Sequence, residues 1–292
     1  MDLLLASTGF LAGATFLFGL LVGSFLNVII YRVPKILDRD WKIQCHEYLE
    51  LEADKSLIDE KFSIAWPGSA CPNCGSKIRP WHNIPLLGYA MLRGKCADCD
   101  APIGIRYPIV ELVTGLLSLV VFLQFGATLQ TVFALGFTWT LVALAGIDFD
   151  TKLLPDNITL PLLWAGLLIN FLFDPEASFT SFDSAFIGAI AGYLALWSVF
   201  WIFKLVTGKE GMGYGDFKLL SALGAWIGWA ALPMIILLSS IIGLIAAVLM
   251  MILISHDRRV PIAFGPYLAI AGWVAMLFGE EIGKFAPFLS II

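Results

Sequence analysis

The sequence predicts an all-α polytopic membrane protein with about eight membrane-crossing helices and one small polar domain. Three observations predict it. The 292 residues are 59% hydrophobic and only 14% charged, with a mean hydropathy of +0.85, far from an ordinary soluble domain. The apolar residues gather into segments near the roughly 20 residues that a spanning helix needs. Four of the five cysteines fall in one polar stretch, as two C-x2-C pairs.

The expected membrane segments are 9–31, 108–126, 130–147, 158–173, 184–206, 217–230, 232–254 and 264–283. The sixth is short, and Pro233 nearly fuses it with the seventh. The first does not read as a cleaved signal peptide. It is too long, has no basic residue before it and lacks a clear small-x-small cleavage site. Small residues recur within the segments, as in Gly188-Ala189-Ile190-Ala191-Gly192, where close helix packing is the expected reason.

Basic residues set the orientation. With the N-terminus outside, the inner loops are 32–107, 148–157, 207–216 and 255–263. Of the 18 Lys and Arg, only Lys284 then falls outside. The acids Asp174, Glu176, Asp183, Glu280 and Glu281 lie on the outer side. The net charge of −5 is less informative than this asymmetry, and no nucleic-acid partner is expected.

Three regions follow: a first membrane helix over 1–31, a polar cytoplasmic domain over 32–107, and a helical membrane domain over 108–292. The polar domain is small enough to need a staple for its core. A short amphipathic helix is expected around Cys45–Leu57. Cys71-Pro72-Asn73-Cys74 and, 21 residues later, Cys96-Ala97-Asp98-Cys99 supply the staple. Each pair can place two thiolates on one tetrahedral ion. Gly75 and Gly94 provide tight turns beside them. A cytoplasmic loop disfavours disulfides, and four thiolates leave no open position for water, so a structural Zn2+ site is expected. Cys45 beside His46 reads as packing, His82 as a neighbour of the metal ligands, and His256 as a surface residue.

Charge at membrane depth is costly and reads first as functional. Asp148 ends the apolar run Leu141–Ile147, and Asp216 ends Gly211-Met212-Gly213-Tyr214-Gly215-Asp216, just before another apolar run. Both fall at the inner face. Two carboxylates sharing a proton are what aspartic proteolysis requires: one deprotonates water while the other polarises the scissile carbonyl. The glycines before Asp216 let a substrate backbone come close. Asp150 and Asp156 flank the same loop as Asp148, and residue type alone leaves all three as partners for Asp216. Asp150 would point elsewhere on a helix, and Asp156 looks like a cap for a helix starting near Ile158. Glu111 is expected to pair with a base such as Arg106, Lys218 to hold a carboxylate or a lipid phosphate, and Asn27 either to bond across helices or to lie near the site.

Gly213-Tyr214-Gly215-Asp216 matches the GxGD signature of intramembrane-type aspartyl proteases. The wider set resembles the bacterial type IV prepilin leader peptidase family. Its pieces are Gly23–Pro34, the two C-x2-C pairs, Arg106–Glu111, Ile147–Asp156, Gly211–Lys218 and Pro261–Pro266, in the family order and over nearly the whole chain. The resemblance implies that Asp148 and Asp216 are the catalytic pair. It further implies cleavage after Gly at the end of a short basic leader, then methylation of the new N-terminal residue with S-adenosyl-L-methionine. The implied substrates are type IV prepilins and type II secretion pseudopilins. The implied setting is the bilayer of a bacterial inner membrane, with a periplasmic N-terminus and the active site at the cytoplasmic face. No G-x-G-x-x-G follows a strand, so no Rossmann-type site for the methyl donor is expected, and its residues are not assigned.

Other classes fit less well. A transporter would place its acids near the midplane and show an inverted repeat. A metalloprotease would need a second His after His46-Glu47 at H-E-x-x-H spacing. A serine protease would need a Ser–His pair within the bundle, and the His residues lie in loops.

Overall fold

The computed structural model describes residues 8–50, 62–174, 176–253 and 263–285. Lys55, Lys61, His256, Arg258, Arg259 and Pro261-Ile262 fall outside these residues, as does most of the amphipathic segment expected over 45–57. The described chain is almost wholly helical, and its only β pairing is two isolated bridges, Ala70–Lys77 and Lys95–Pro102. It divides into two compact units, Met1–Gly126 and Ala127–Ile292.

In the first unit, α1 (Thr8–Tyr48) packs along α3 (Arg106–Phe125), with the single-turn α2 (Leu87–Met91) between them in sequence. The α1–α3 seam is made of small residues. A Cβ on Gly19 would stand 2.5 Å from Ser118 Oγ, and one on Gly23 would stand 2.7 Å from Glu111 Cα. This G-x-x-x-G pair lets two backbones approach where bulk would hold them apart. Asn27 crosses the seam and donates to the Tyr107 carbonyl at 3.1 Å, which is the interhelical bond weighed for it.

The first helix was expected to stop at Tyr31, yet α1 runs on through Pro34 to Tyr48. Its 41 residues span about 62 Å, twice the hydrocarbon thickness, so its second half projects beyond any bilayer core. Proline removes one helical N–H, but pairs four apart support the extension, as in Asp38–Lys42 at 2.7 Å. Cys45–Tyr48 are the last turn of this helix rather than the start of a new one.

In the second unit, α4 (Leu129–Thr151), α5 (Asp156–Leu172), α6 (Phe182–Thr207), α7 (Tyr214–Ile227), α8 (Leu232–Leu253) and α9 (Gly265–Phe285) pack round α7, which touches α5, α6, α8 and α9. Every expected segment therefore contains a helix. Five spans are long and apolar enough to cross a membrane: α1, α3, α4, α6 and Trp229–Ile252, a short turn plus most of α8. The described part is a multi-pass membrane architecture. The helices α5 and α9 are shorter but apolar. Helix α7 has only 14 residues, about 21 Å, and from Asp216 to Trp226 all but Lys218 are buried. A helix apolar all round belongs inside a bundle rather than against lipid. Phe217, Leu219, Leu220 and Leu223 are its fully buried core.

Glycines bring α6 and α7 together as expected: a Cβ on Gly192 would lie 2.6 Å from the Leu220 carbonyl oxygen, and Gly188 abuts Gly224. Polar side chains lock the far end of α7. Asn170 donates to the Ala225 and Trp226 carbonyls at 2.9 and 3.0 Å and accepts the Phe179 and Thr180 N–H groups. Trp226 Nε1 donates to the Leu162 carbonyl at 2.7 Å.

Candidate active site and metal centre

The end of α4 and the starts of α5 and α9 meet beside the start of α7. Asp148 lies in the last turn of α4, 4% exposed, and its Oδ2 accepts the Gly265 N–H at 2.9 Å. Gly265 is the first residue of α9. A Cβ there would fall 2.6 Å from that same oxygen, so only glycine lets the backbone reach the carboxylate. Asp216 sits in the first turn of α7, 6% exposed, at the dipole end that favours an anion. The two carboxylates lie within Coulombic reach of one another.

The turn between α4 and α5 completes the arrangement. Helix α4 ends on Lys152 in the left-handed conformation, φ +59°, and Pro155 precedes α5. Between them, Leu154 packs on both sides. A Cβ on Gly215 would stand 2.7 Å from Leu154 Cβ, and one on Gly265 would stand 3.2 Å from Leu154 Cδ1. The glycine before Asp216 and the glycine bonded to Asp148 thus both abut Leu154. Asp156 was expected to cap α5. Instead it is the helix's first residue, after an extended Pro155, and both its oxygens take Lys218 Nζ at 2.6 and 2.7 Å. Lys218 holds a carboxylate, the first of its two anticipated roles, and so ties the Asp216 helix to the turn after Asp148. Asp150 is exposed at the helix surface, while Asp148 faces inward.

The four-cysteine cluster is built by two matching turns. Cys71 N–H bonds to the Ser76 carbonyl and Gly75 N–H to Cys71, while Cys96 N–H bonds to Ala101 and Asp100 N–H to Cys96. Gly75 has φ +72° and Asp100 φ +56°, so an aspartate fills in the second turn the left-handed place that glycine fills in the first. Gly94, φ +72°, turns the chain just before the second pair, as anticipated. The four sulfurs lie within 4.8 Å of one another, with Cys71–Cys99 at 3.8 Å and Cys74–Cys96 at 4.0 Å. A tetrahedral thiolate site with Zn–S near 2.3 Å has S···S edges of about 3.8 Å, so the donors fit. Hydrogen bonds from the Ser76 hydroxyl and N–H pull the Cys74 thiol down to about 6, and the Asp98 and Cys99 backbone lowers Cys96. Against lowering bonds from the Ala101 backbone and Asn73, desolvation and the neighbouring Cys74 and Cys96 push Cys99 up to about 11. Four thiolates cannot share this space without a cation, which is the chemistry of a metal site. Among the described residues the metal-competent group is these four alone, without His82, Cys45 or His46.

Two buried charged residues carry roles that the sequence did not disclose. Glu111, expected to pair with Arg106, accepts the Leu86 N–H at 2.8 Å, where Leu86 has φ +59° at the start of α2. Arg32 is buried, and its guanidinium donates to the carbonyls of Ser63, Ile64 and Pro67 at 2.9, 3.1 and 2.6 Å while lying over the Phe62 ring. A buried arginine with so many carbonyl partners organises a loop. A polar residue at a helix end beside Pro34 was the only sequence trace of it.

Comparison with known proteins agrees with this construction. Residues 17–125 match the bacterial peptidase A24 N-terminal domain, and residues 135–248 match the type IV leader peptidase family. A Pseudomonas aeruginosa protein named prepilin leader peptidase/N-methyltransferase is 55% identical over 270 residues, 92% of this chain and 91% of its own. Proteins of the same name from Aeromonas hydrophila and Neisseria gonorrhoeae are 52% and 46% identical, over 92% and 91% of this chain and 91% and 90% of theirs. No solved structure matches.

Proposed function

The chain belongs to the type IV leader peptidase family, and on that premise we propose that it removes the basic leader of type IV prepilins and type II secretion pseudopilins after a Gly and then methylates the new N-terminus. The observation that carries the reading is a pair of buried carboxylates, Asp148 and Asp216, at converging helix ends with glycine backbone beside each.

In this reading Asp148 and Asp216 are the catalytic pair and share one proton. The ionised carboxylate takes a proton from water as the water oxygen bonds to the scissile carbonyl carbon. The protonated carboxyl donates to the carbonyl oxygen. As the tetrahedral diol collapses, the second carboxylate takes back the proton of one hydroxyl, the C–N bond breaks, and the amine leaves with the proton held by the first carboxyl. Gly265 holds Asp148 in place through its N–H, and the Lys218–Asp156 pair holds the first turn of α7. Burial strengthens these interactions by excluding water.

S-adenosyl-L-methionine is the donor in this proposal and, when bound, offers an electrophilic methyl group to the uncharged amine. Zn2+ on Cys71, Cys74, Cys96 and Cys99 is structural, since four sulfurs complete its coordination. The proposed setting is a bacterial inner membrane, supported by the distribution of Lys and Arg. The N-terminus is periplasmic, residues 32–107 are the cytoplasmic metal domain, and 108–292 are the protease membrane domain with its site at the cytoplasmic face. The bilayer is then itself a partner, receiving the exposed apolar faces such as Ile202, Leu205 and Val206.

The test is incubation of the purified protein with a model prepilin and S-adenosyl-L-methionine, followed by mass measurement. Loss of the leader together with gain of one methyl group is expected. An intact prepilin would refute the peptidase reading, and leader loss without methylation would refute the second activity.

A further inference from the structure

Glu111 is a carboxylate that the peptidase reading does not use. It lies in the α1–α3 seam, 8% exposed, and its Oε2 accepts an uncharged donor, the Leu86 N–H, at 2.8 Å. Among the described residues no Lys, Arg or His pairs with it. A buried carboxylate without a cation is costly, so the position calls for a ligand that brings positive charge or N–H groups. Asn27, 7% exposed, stands one turn away. Its Nδ2 donates to the Tyr107 carbonyl, and its Oδ1 has no partner among the described residues. We infer that Glu111 and Asn27 together hold the amino group that accepts the methyl.

The seam runs antiparallel: Gly19 faces Ser118, Gly23 faces Glu111, and Asn27 faces Tyr107. Side chains tilt toward the N-terminus of their own helix. Glu111 therefore leans toward the level of Asn27, and Asn27 toward the level of Glu111. Among the described residues, His46 Nδ1 is the only fully enclosed side-chain polar atom without a partner. The unbonded oxygens of Glu111 and Asn27 are thus not sealed inside the protein, and Tyr107 and Leu87 beside them are exposed. All these groups belong to one compact unit, Met1–Gly126.

A neutral amine has two N–H groups and one lone pair. Bonds to a Glu111 oxygen and to Asn27 Oδ1 take both N–H groups and leave the lone pair free. A terminal amine titrates at about 8, so near neutral pH a fraction is uncharged without a stronger base. The lone pair forms the N–C bond, and the C–S bond of S-adenosyl-L-methionine breaks with its electron pair left on sulfur. The nitrogen becomes a secondary ammonium, which gives a proton to solvent. Glu111 stabilises the positive charge that develops on that nitrogen. The methyl donor carries an α-amino group of the same chemistry, and the experiment tells the two apart.

This inference rests on the methyltransferase half of the proposed function. Wild type and Glu111→Gln, which can still accept from Leu86, are compared on a leaderless pilin with S-adenosyl-L-methionine. Glu111→Gln should lower kcat/KM for methylation by about 100-fold and leave leader removal within a fewfold of wild type. Binding is measured for the leaderless pilin with a free terminus, for the same pilin acetylated there, and for S-adenosyl-L-homocysteine. The wild type should bind the free terminus about tenfold or more tighter than the acetylated one. Glu111→Gln should erase that preference and bind S-adenosyl-L-homocysteine as the wild type does. Equal binding of the two pilins by the wild type overturns the inference, with no variant needed. So does wild-type methylation by Glu111→Gln, or weakened S-adenosyl-L-homocysteine binding with unchanged pilin binding. A parallel fall of cleavage, methylation and melting temperature also overturns it, since Glu111 would then only support the fold. If the wild type methylates no pilin, the methyltransferase reading itself fails.

Discussion

The Gly265 N–H donates to Asp148 Oδ2 at 2.9 Å across 117 residues of chain. That bond joins the end of α4 to the start of α9, and it explains why an Ala-Phe-Gly-Pro segment far from both aspartates belongs to the site. One carboxylate oxygen of Asp148 is thereby held by backbone.

Asp148→Asn and Asp216→Asn should each abolish leader removal, since neither amide can serve as a general base. Asp150→Asn, altering an exposed acid, should leave cleavage within a fewfold of wild type. Mass spectrometry of a model prepilin after overnight reaction distinguishes them. Cleavage by either of the first two variants would break the assignment of the pair.

Gly265→Ala should impair cleavage while sparing the fold. The new methyl would stand 2.6 Å from Asp148 Oδ2, so backbone or carboxylate must move. A displacement near 1 Å in such a constellation lowers kcat/KM by about 100-fold. Methylation of a leaderless pilin should continue, and its loss in parallel would point to general misfolding instead.

Metal analysis of the purified protein should find about one zinc per chain. Replacing Cys71 and Cys99 by Ser should remove that metal and lower the melting temperature. The effect should be largest on proteolysis within the 62–105 region, where the knuckle turns hold the chain. Full metal retention in the double variant would refute the site.

Asn170→Leu tests what holds α7. The substitution strips hydrogen bonds from two carbonyls and two N–H groups in a buried place. A buried group left without a partner costs about 1–3 kcal/mol, so a clear fall in melting temperature in detergent is expected. A melting curve that does not move would mean that water or another group takes over these partners.

Lys218→Met should change stability by less than about 1 kcal/mol, because exposed ion pairs contribute little. Its expected effect is on rate, since the pair with Asp156 positions the turn that carries Leu154. Unchanged kcat with full thermal stability would count against that role.

Much of the architecture was legible because membranes impose long apolar runs, and a run is visible without any partner. The cysteine pairs were legible because ligand spacing is local. Local context misled where a distant group supplied the bond. The bond that Glu111 accepts from the Leu86 N–H, 25 residues back, left no local trace. Asp156 resembled a cap because it opens a helix, but its oxygens go to Lys218. Proline at 34 suggested an end, but side-chain pairs carry α1 on to Tyr48.

By itself, the sequence determined that this is a membrane-spanning chain with a four-thiolate staple and two acids set against glycine and apolar segments. Hydropathy, motif spacing and residue chemistry are properties of neighbours along the chain. Only the tertiary structure decided that Asp148 faces inward while Asp150 does not, that α7 is wrapped by other helices, and that Leu154 stands between Gly215 and Gly265. These depend on which helix ends meet, and that is set by packing among small residues and by hydrogen bonds between positions too far apart in sequence for any local pattern to record.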